Sequence, residues 1–188
     1  MKTISTENHS YSELSDSAKE AAIQNLITQK SEDPYEVDGT SEECLDSLKA
    51  IAEAFNVNII DYSFGPYSQG NKVKIDDWND HEDSLNTLLR VLIQGGYETH
   101  KDLSKMAEKE NFPGHCPFTG VCYDEDIIES ITKSIIIDGN DLRTAFDQVG
   151  DLIRKILEKE IEYAQCEEYI KEELDEDEEM FLSDGEIY

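Results

Sequence analysis

Apolar side chains return every three or four positions along most of this chain, and every second position along one short stretch. Leu14, Ala18, Ala21, Ala22, Ile23 and Leu26 recur near helical spacing, so a helix is predicted from Ser15 to about Gln29. Ser15 is its expected N-cap, with Leu14 placed for a staple contact, and Pro34 argues for an end before Ser31. Thr40-Ser-Glu-Glu43 reads as a capping box that opens a second helix. Its stripe is Cys44, Leu45, Leu48, Ile51, Ala52 and Phe55, and Cys44 reads as a small buried hydrophobe. The period then shortens. Val57, Ile59, Ile60, Tyr62 and Phe64 suggest a strand, and in a second one, Lys72 to Asp76, Val73 and Ile75 alternate with charged residues. Gly65 to Asn71 between them is too long for a tight turn, unless a bulge takes up part of it. Two strands rarely stand alone, so this antiparallel hairpin at about 57–76 is expected to lie against helices, with a third short strand not placed by the pattern.

Helical spacing resumes from Asp80 with Leu85, Leu88, Leu89, Leu92 and Ile93, and Gly95-Gly96 supplies a stop. A helix capped by Thr99 is predicted to about Glu110, followed by a Pro-, Gly-, Cys- and Phe-rich segment, 111–122, that reads as an ordered loop. Asp124 to Ile137 fits a helix, although Ser134 to Ile137 taken alone fits a strand. A long helix is predicted from Asp141, its core face running from Leu142 through Phe146, Ile153 and Leu157 to Ala164. Tyr169, Ile170 and Leu174 can extend it, but carboxylates at a helix C-terminus oppose the dipole. The reading is α+β and mainly helical: one domain over 1–166, then an acidic C-terminal extension over 167–188.

Charge changes that picture from a fold to a class of partner. The 188 residues hold 16 Lys+Arg against 44 Asp+Glu, a formal net charge of −28. A nucleic-acid binder needs a basic footprint, and anionic lipid would also repel this surface, so direct nucleic-acid and membrane binding are not expected. The opening MKTISTENHS lacks the apolar core of a signal peptide, which suggests the cytosol. Four scattered cysteines suit reduced thiols better than a disulfide framework.

Candidate chemistry is sparse. His115-Cys116 and Cys122 invite a zinc reading, with Cys44, Cys166, His81 or His100 as distant completions, but the usual two close ligand pairs are missing. A Cys116 nucleophile lacks a companion oxyanion pattern, and Gly65 to Gly70 matches no phosphate-binding loop. The clusters Asp76-Asp77, Asp124-Glu-Asp126 and Asp175 to Glu179 do not follow the alternation of a calcium loop and read as solvated faces. No catalytic residue, metal ligand or cofactor is assigned. What remains is the charge itself, whose self-repulsion opposes folding. Duplex DNA carries one charge per ~1.7 Å of axis, and a helix with two or three carboxylates per turn approaches that density. An acidic protein can therefore occupy a basic nucleic-acid channel. The block Glu167, Glu168, Glu172, Glu173, Asp175, Glu176, Asp177, Glu178 and Glu179 is the expected partner-binding surface.

Four stretches resemble, in order, a family of small acidic proteins encoded by bacteriophages and prophages. Tyr11-Ser-Glu-Leu-Ser-Asp-Ser-Ala-Lys-Glu-Ala-Ala-Ile23 is similar to its F-x-E-L-S-(D/E)-x-A-K-x-x-A-I opening. Ile59 to Gly70, ending Tyr67-Ser-Gln-Gly70, is similar to its hairpin, departing from it at Pro66-Tyr67 and Asn71-Lys72. Cys116-Pro-Phe-Thr-Gly-Val-Cys-Tyr-Asp-Glu-Asp126 is similar to its C-P-(F/L)-T-G loop, and Met180 to Tyr188 to its closing D-G-x-x-Y. The resemblance implies a phage setting, with the host cytoplasm as location. Together with the charge it suggests a non-enzymatic inhibitor of a host restriction or CRISPR nuclease, binding by DNA or RNA mimicry at a basic site. The alternatives are an antitoxin or regulator that neutralises a toxin partner, and a thiol- or metal-dependent enzyme built on the Cys116–Cys122 loop.

Overall fold

Seven α-helices, one 3-10 turn and one β-hairpin account for the regular structure among the described residues of a computed structural model, which are 9–32, 38–63, 72–76, 83–108, 112, 116–120, 123–176 and 181–186. The fold is α+β and mainly helical. The chain forms two compact units, one spanning Asp38–Glu158 and the other built from two separated segments, Met1–Val37 and Lys159–Tyr188. This differs from an expected 1–166 domain with a 167–188 extension. The C-terminal segment supplies part of a core, as set out below.

In the unit Asp38–Glu158, α2 (Asp38–Phe55) buries Cys44, Leu48, Ile51 and Phe55. It starts before Thr40, so the predicted capping box does not open it: Thr40 is already inside the helix and Glu43 lies beyond the first turn. The strands β1 (Ile59–Ser63) and β2 (Lys72–Ile75) pair antiparallel, Ile59 opposite Ile75 and Asp61 opposite Lys74. Ile60 is thus the extra residue of a bulge. Asp76 holds the start of the hairpin by accepting from Asn58 N at 3.1 Å and Asn58 Nδ2 at 2.7 Å. The predicted tip, 65–71, lies outside the described residues, and no third strand joins the sheet among the described ones.

The helix α3 (Ser84–Gln94) is capped by Asp83, whose carboxyl accepts from Leu85 N at 3.0 Å, and it starts later than Asp80. The predicted Thr99 helix is a single turn, α4 (Leu103–Met106): Asp102, not Thr99, provides the cap, accepting from Ser104 N at 3.1 Å. The helices α5 (Tyr123–Ile136) and α6 (Leu142–Ala164) follow the predicted stripes. Phe55 and Phe146 meet edge to face, centroids 5.6 Å apart, between α2 and α6. Gly150 lets α6 lie directly on β2, since a Cβ there would come within 2.7 Å of Lys72 N.

Asp141 caps α6 by accepting from Thr144 N at 2.8 Å, and hydrogen bonds from the Thr144 backbone and side chain hold its carboxyl below the usual range. A lowered folded-state pKa contributes stability above the unfolded value and loses it as pH falls through the folded one. Asp141→Ala is therefore expected to cost about 1 kcal/mol at neutral pH. In denaturation titrations across pH, the difference from wild type should vanish in acid.

The second unit begins with a 3-10 turn, Tyr11–Glu13, and α1 (Asp16–Glu32). Ser15 Oγ accepts from Ala18 N at 3.3 Å, which makes it the expected cap. The helix runs past Gln29 because Lys30 is drawn inward, its side chain 6% exposed and paired with Glu173 at 3.1 Å. The partner helix is α7 (Glu167–Glu176), separated from α6 by a break at Gln165-Cys166. Tyr169, Ile170 and Leu174 are thus helical, but in a separate helix rather than as an extension of α6. The break places Glu167 and Glu168 in a first turn, where the dipole favours them, and Cys166 Sγ accepts from Tyr169 N at 3.4 Å. Ile170, Leu174 and Phe181 complete a core with Tyr11, Leu14, Ala18, Ala22, Ile23 and Leu26. His9 and Phe181 exchange backbone hydrogen bonds of 2.9 and 2.8 Å. Gly185, at φ +89°, rests on the backbone of α1: a Cβ there would lie 2.2 Å from Ala18 O. The opening and closing motifs of the sequence are thus two sides of one contact.

Candidate functional site

The acidity of the chain is unevenly divided. The two-segment unit carries 20 Asp+Glu against 5 Lys+Arg, a net −15 on 67 residues, whereas the unit 38–158 carries 24 against 11, a net −13 on 121. Within the former, α7 is the densest part. Its apolar side, Ile170 and Leu174, is buried, so the opposite side is held toward solvent by packing. Glu168, Glu172 and Asp175, at spacings of four and three residues, share that side and are exposed.

The other expected partner-binding residues divide. Glu167 is exposed and pairs with Lys171 at 2.5 Å, one helical turn on. Glu173 is turned inward to Lys30, whose ammonium also lies 5.7 Å from the centre of the Tyr169 ring. It is therefore a structural residue, which its position in an acidic run gave no reason to suspect. Glu176 ends α7, and Asp177, Glu178 and Glu179 lie outside the described residues. The ten residues of α7 carry six carboxylates and Lys171, with Lys30 as a second cation. Over a rise of about 15 Å this leaves roughly one net charge per 4 Å, close to the ~3.4 Å of a single nucleic-acid strand.

The Cys116 loop has a different purpose. Asp124, in the first turn of α5, is fully buried, which corrects its reading as part of a solvated acidic face. Its Oδ2 accepts from Phe118 N and Thr119 N, both at 2.8 Å, and its Oδ1 from Thr119 Oγ1 at 2.9 Å. Ser47 Oγ of α2 lies 3.2 Å from Thr119 Oγ1, and Gly120 N donates to Cys116 O at 3.1 Å. The C-P-F-T-G…D spacing is thereby a loop clamp, whose last member orients the backbone of the others. Burial, and then the proximity of Asp124, Glu125 and Cys116, hold the Tyr97 phenol above its ordinary range, so it stays protonated.

His115, Cys122 and His81 lie outside the described residues. Cys44 is buried in α2, Cys166 caps α7, and His100 sits 4.0 Å from Glu98. Among the described residues no group of three or more His, Cys, Asp or Glu is placed to hold a metal ion. An open cleft of about 680 Å³ beside the loop is lined by Glu53, Asn56, Arg90, Gln94, Pro117 and Phe118, among others. Arg90 there donates to Ala54 O at 3.1 Å, at the C-terminal end of α2, where a cation is favoured. No described helix is long and apolar enough to cross a membrane. In comparisons with known proteins, the chain matches no family model, no curated protein and no solved structure.

Proposed function

We propose that this protein is a phage-encoded, non-enzymatic inhibitor that acts in the host cytoplasm by occupying the basic nucleic-acid site of a restriction or CRISPR nuclease. The observation that carries the reading is the concentration of charge: −15 on the 67 residues of one unit, densest on a helix whose opposite side is anchored. An ordered row of carboxylates binds a Lys/Arg-lined groove with less loss of entropy than a flexible acidic tail does. Repulsion of that size opposes folding, and a basic partner relieves it. The interaction is electrostatically steered, so association is fast and weakens as salt rises.

The test uses Glu168→Gln, Glu172→Gln and Asp175→Asn together in the full chain. All three side chains are exposed and none is used by the core, so thermal stability should hold or rise. Inhibition of purified restriction and CRISPR nucleases on a DNA substrate is the readout. Wild type should inhibit less as salt increases, and the triple variant should be about tenfold weaker or more, through slower association. Equal inhibition by both proteins, or inhibition indifferent to salt, would sink the proposal. Loss of activity in Cys116→Ser, with fold and binding intact, would favour a thiol enzyme instead.

A further inference from the structure

The break between α6 and α7 builds a surface that neither helix has alone. Tyr163 and Tyr169 are six residues apart. In an unbroken helix that spacing sets two side chains about 9 Å apart along the axis and on different sides. With the break at Gln165-Cys166 the two rings meet, centroids 4.9 Å apart and planes tilted by 51°. They differ in what surrounds them. Tyr169 has the Lys30 ammonium 5.7 Å from its centre, and that lysine is buried. Tyr163 is 57% exposed, and among the described residues no cation lies over its ring. A ring already held against a neighbour has given up much of its rotamer freedom, so a partner that covers it adds little further loss.

Local charge selects the occupant. The segment 159–176, which carries both rings, has eight carboxylates against two lysines. Glu167 is paired with Lys171 and Glu173 with Lys30. Lys159, one turn before Tyr163, is offset by Glu160 next to it. Glu162 and Glu168 are exposed, and each directly precedes one of the rings in sequence. An apolar partner would desolvate these carboxylates without compensation, and an anionic one would be repelled. A guanidinium meets both demands, because it is planar and weakly hydrated: it stacks on a ring while its N–H groups reach carboxylates at the edge. We infer that Tyr163 is the anchor for an arginine side chain of the partner, a ring-stacked contact inside the basic groove. The inference rests on the proposed function for the partner's identity. The same unit already uses ring–cation contact twice, Lys30 with Tyr169 and Lys19 with Tyr11 at 5.5 Å. Exposed carboxylates chiefly govern encounter, whereas a buried aromatic–arginine contact governs how long a complex lasts.

The probes are two capped peptides of equal charge, Arg-Gly-Arg-Gly-Arg and Lys-Gly-Lys-Gly-Lys, titrated into the full chain at about 0.15 M salt. The Tyr163 ring signals are followed by NMR. Charge attraction alone treats the two peptides alike, so the ratio of their affinities reports on the ring. The arginine peptide should bind about threefold more tightly and should shift the Tyr163 signals. Tyr163→Phe should keep that preference, whereas Tyr163→Leu should abolish it and leave lysine-peptide binding unchanged. Equal binding of both peptides by wild type, or a preference that survives Tyr163→Leu, would overturn the inference. So would a concentration-dependent dimer that shifts Tyr163 without peptide, since the occupant would then be a second copy. Against a nuclease that the wild type inhibits, Tyr163→Leu should dissociate several-fold faster with association unchanged. Unchanged dissociation there would also overturn the anchor, while leaving the proposed function intact. An arginine preference without inhibition of any nuclease would do the reverse, sinking the proposed function and supporting an arginine-bearing partner of another kind.

Discussion

Asp124→Ala is expected to lower the stability of the unit 38–158 by about 3 kcal/mol or more, because it leaves buried donors with no acceptor. The carboxyl is fully buried and accepts three hydrogen bonds, two from the amides of Phe118 and Thr119 and one from the Thr119 hydroxyl. Ser47 loses an ordered neighbour in turn, since its hydroxyl is placed against Thr119. Asp124→Asn keeps the shape and one oxygen, and its amide nitrogen can donate to the Thr119 hydroxyl, so it should lose only about 1 kcal/mol. Urea denaturation followed by tryptophan-independent circular dichroism gives both values. Equal losses for Ala and Asn would mean that charge, not hydrogen-bond geometry, fixes the loop.

Gly185→Ala is expected to open the two-segment unit while sparing the other. The glycine has φ +89°, where a side chain is strained, and the added Cβ would lie 2.2 Å from Ala18 O and 3.1 Å from Ala22 N. Both obstacles are helix backbone, which cannot step aside as a flexible side chain does. The Leu182–Glu186 turn must lift, and Phe181, which is fully buried, is only four residues away. Strain and lost burial together amount to roughly 3–5 kcal/mol, comparable with what so small a core contributes. Hydrogen exchange should accelerate across α1 and α7 and stay unchanged in α5. Slow exchange in α1 would show that the closing turn is dispensable. If the proposed function holds, this variant should also fail to inhibit, whereas Asp124→Asn should inhibit normally.

Much of the fold was legible because apolar spacing is a local signal. The stripes of α2, α3, α5 and α6, the alternation in β2 and the Ser15 cap each depend on residues within a few positions of one another. The errors have the opposite character. Lys30 and Glu173 lie 143 positions apart, and nothing near either one announces a buried pair. The break before α7 contains neither Gly nor Pro, and its cap is a sulfur atom, outside the residue types that usually mark a helix start. In the sequence Asp124 is indistinguishable from its acidic neighbours, yet it is buried because the loop folds back on it. For the candidate site, the acidic block was evident, but composition alone did not separate Glu173, which holds the helix, from Glu168, Glu172 and Asp175, which are free to meet a partner.

The two-segment unit also sets a timetable for synthesis. Ala22, Ile23 and Leu26 of α1 leave the ribosome well over a hundred residues ahead of Ile170, Leu174 and Phe181, the side chains that bury them. At ordinary elongation rates this interval is on the order of ten seconds, during which α1 has no core to join. Its alanines make the wait safer than a leucine-rich stripe would, since they offer little apolar area to a passing chain. A ribosome that stops between Glu158 and Ile170 therefore releases a chain whose 38–158 unit is already encoded in full but which lacks the anchors of the acidic helix. Only a chain translated through Gly185 closes the unit, so the dense negative surface is presented by finished molecules and not by their fragments.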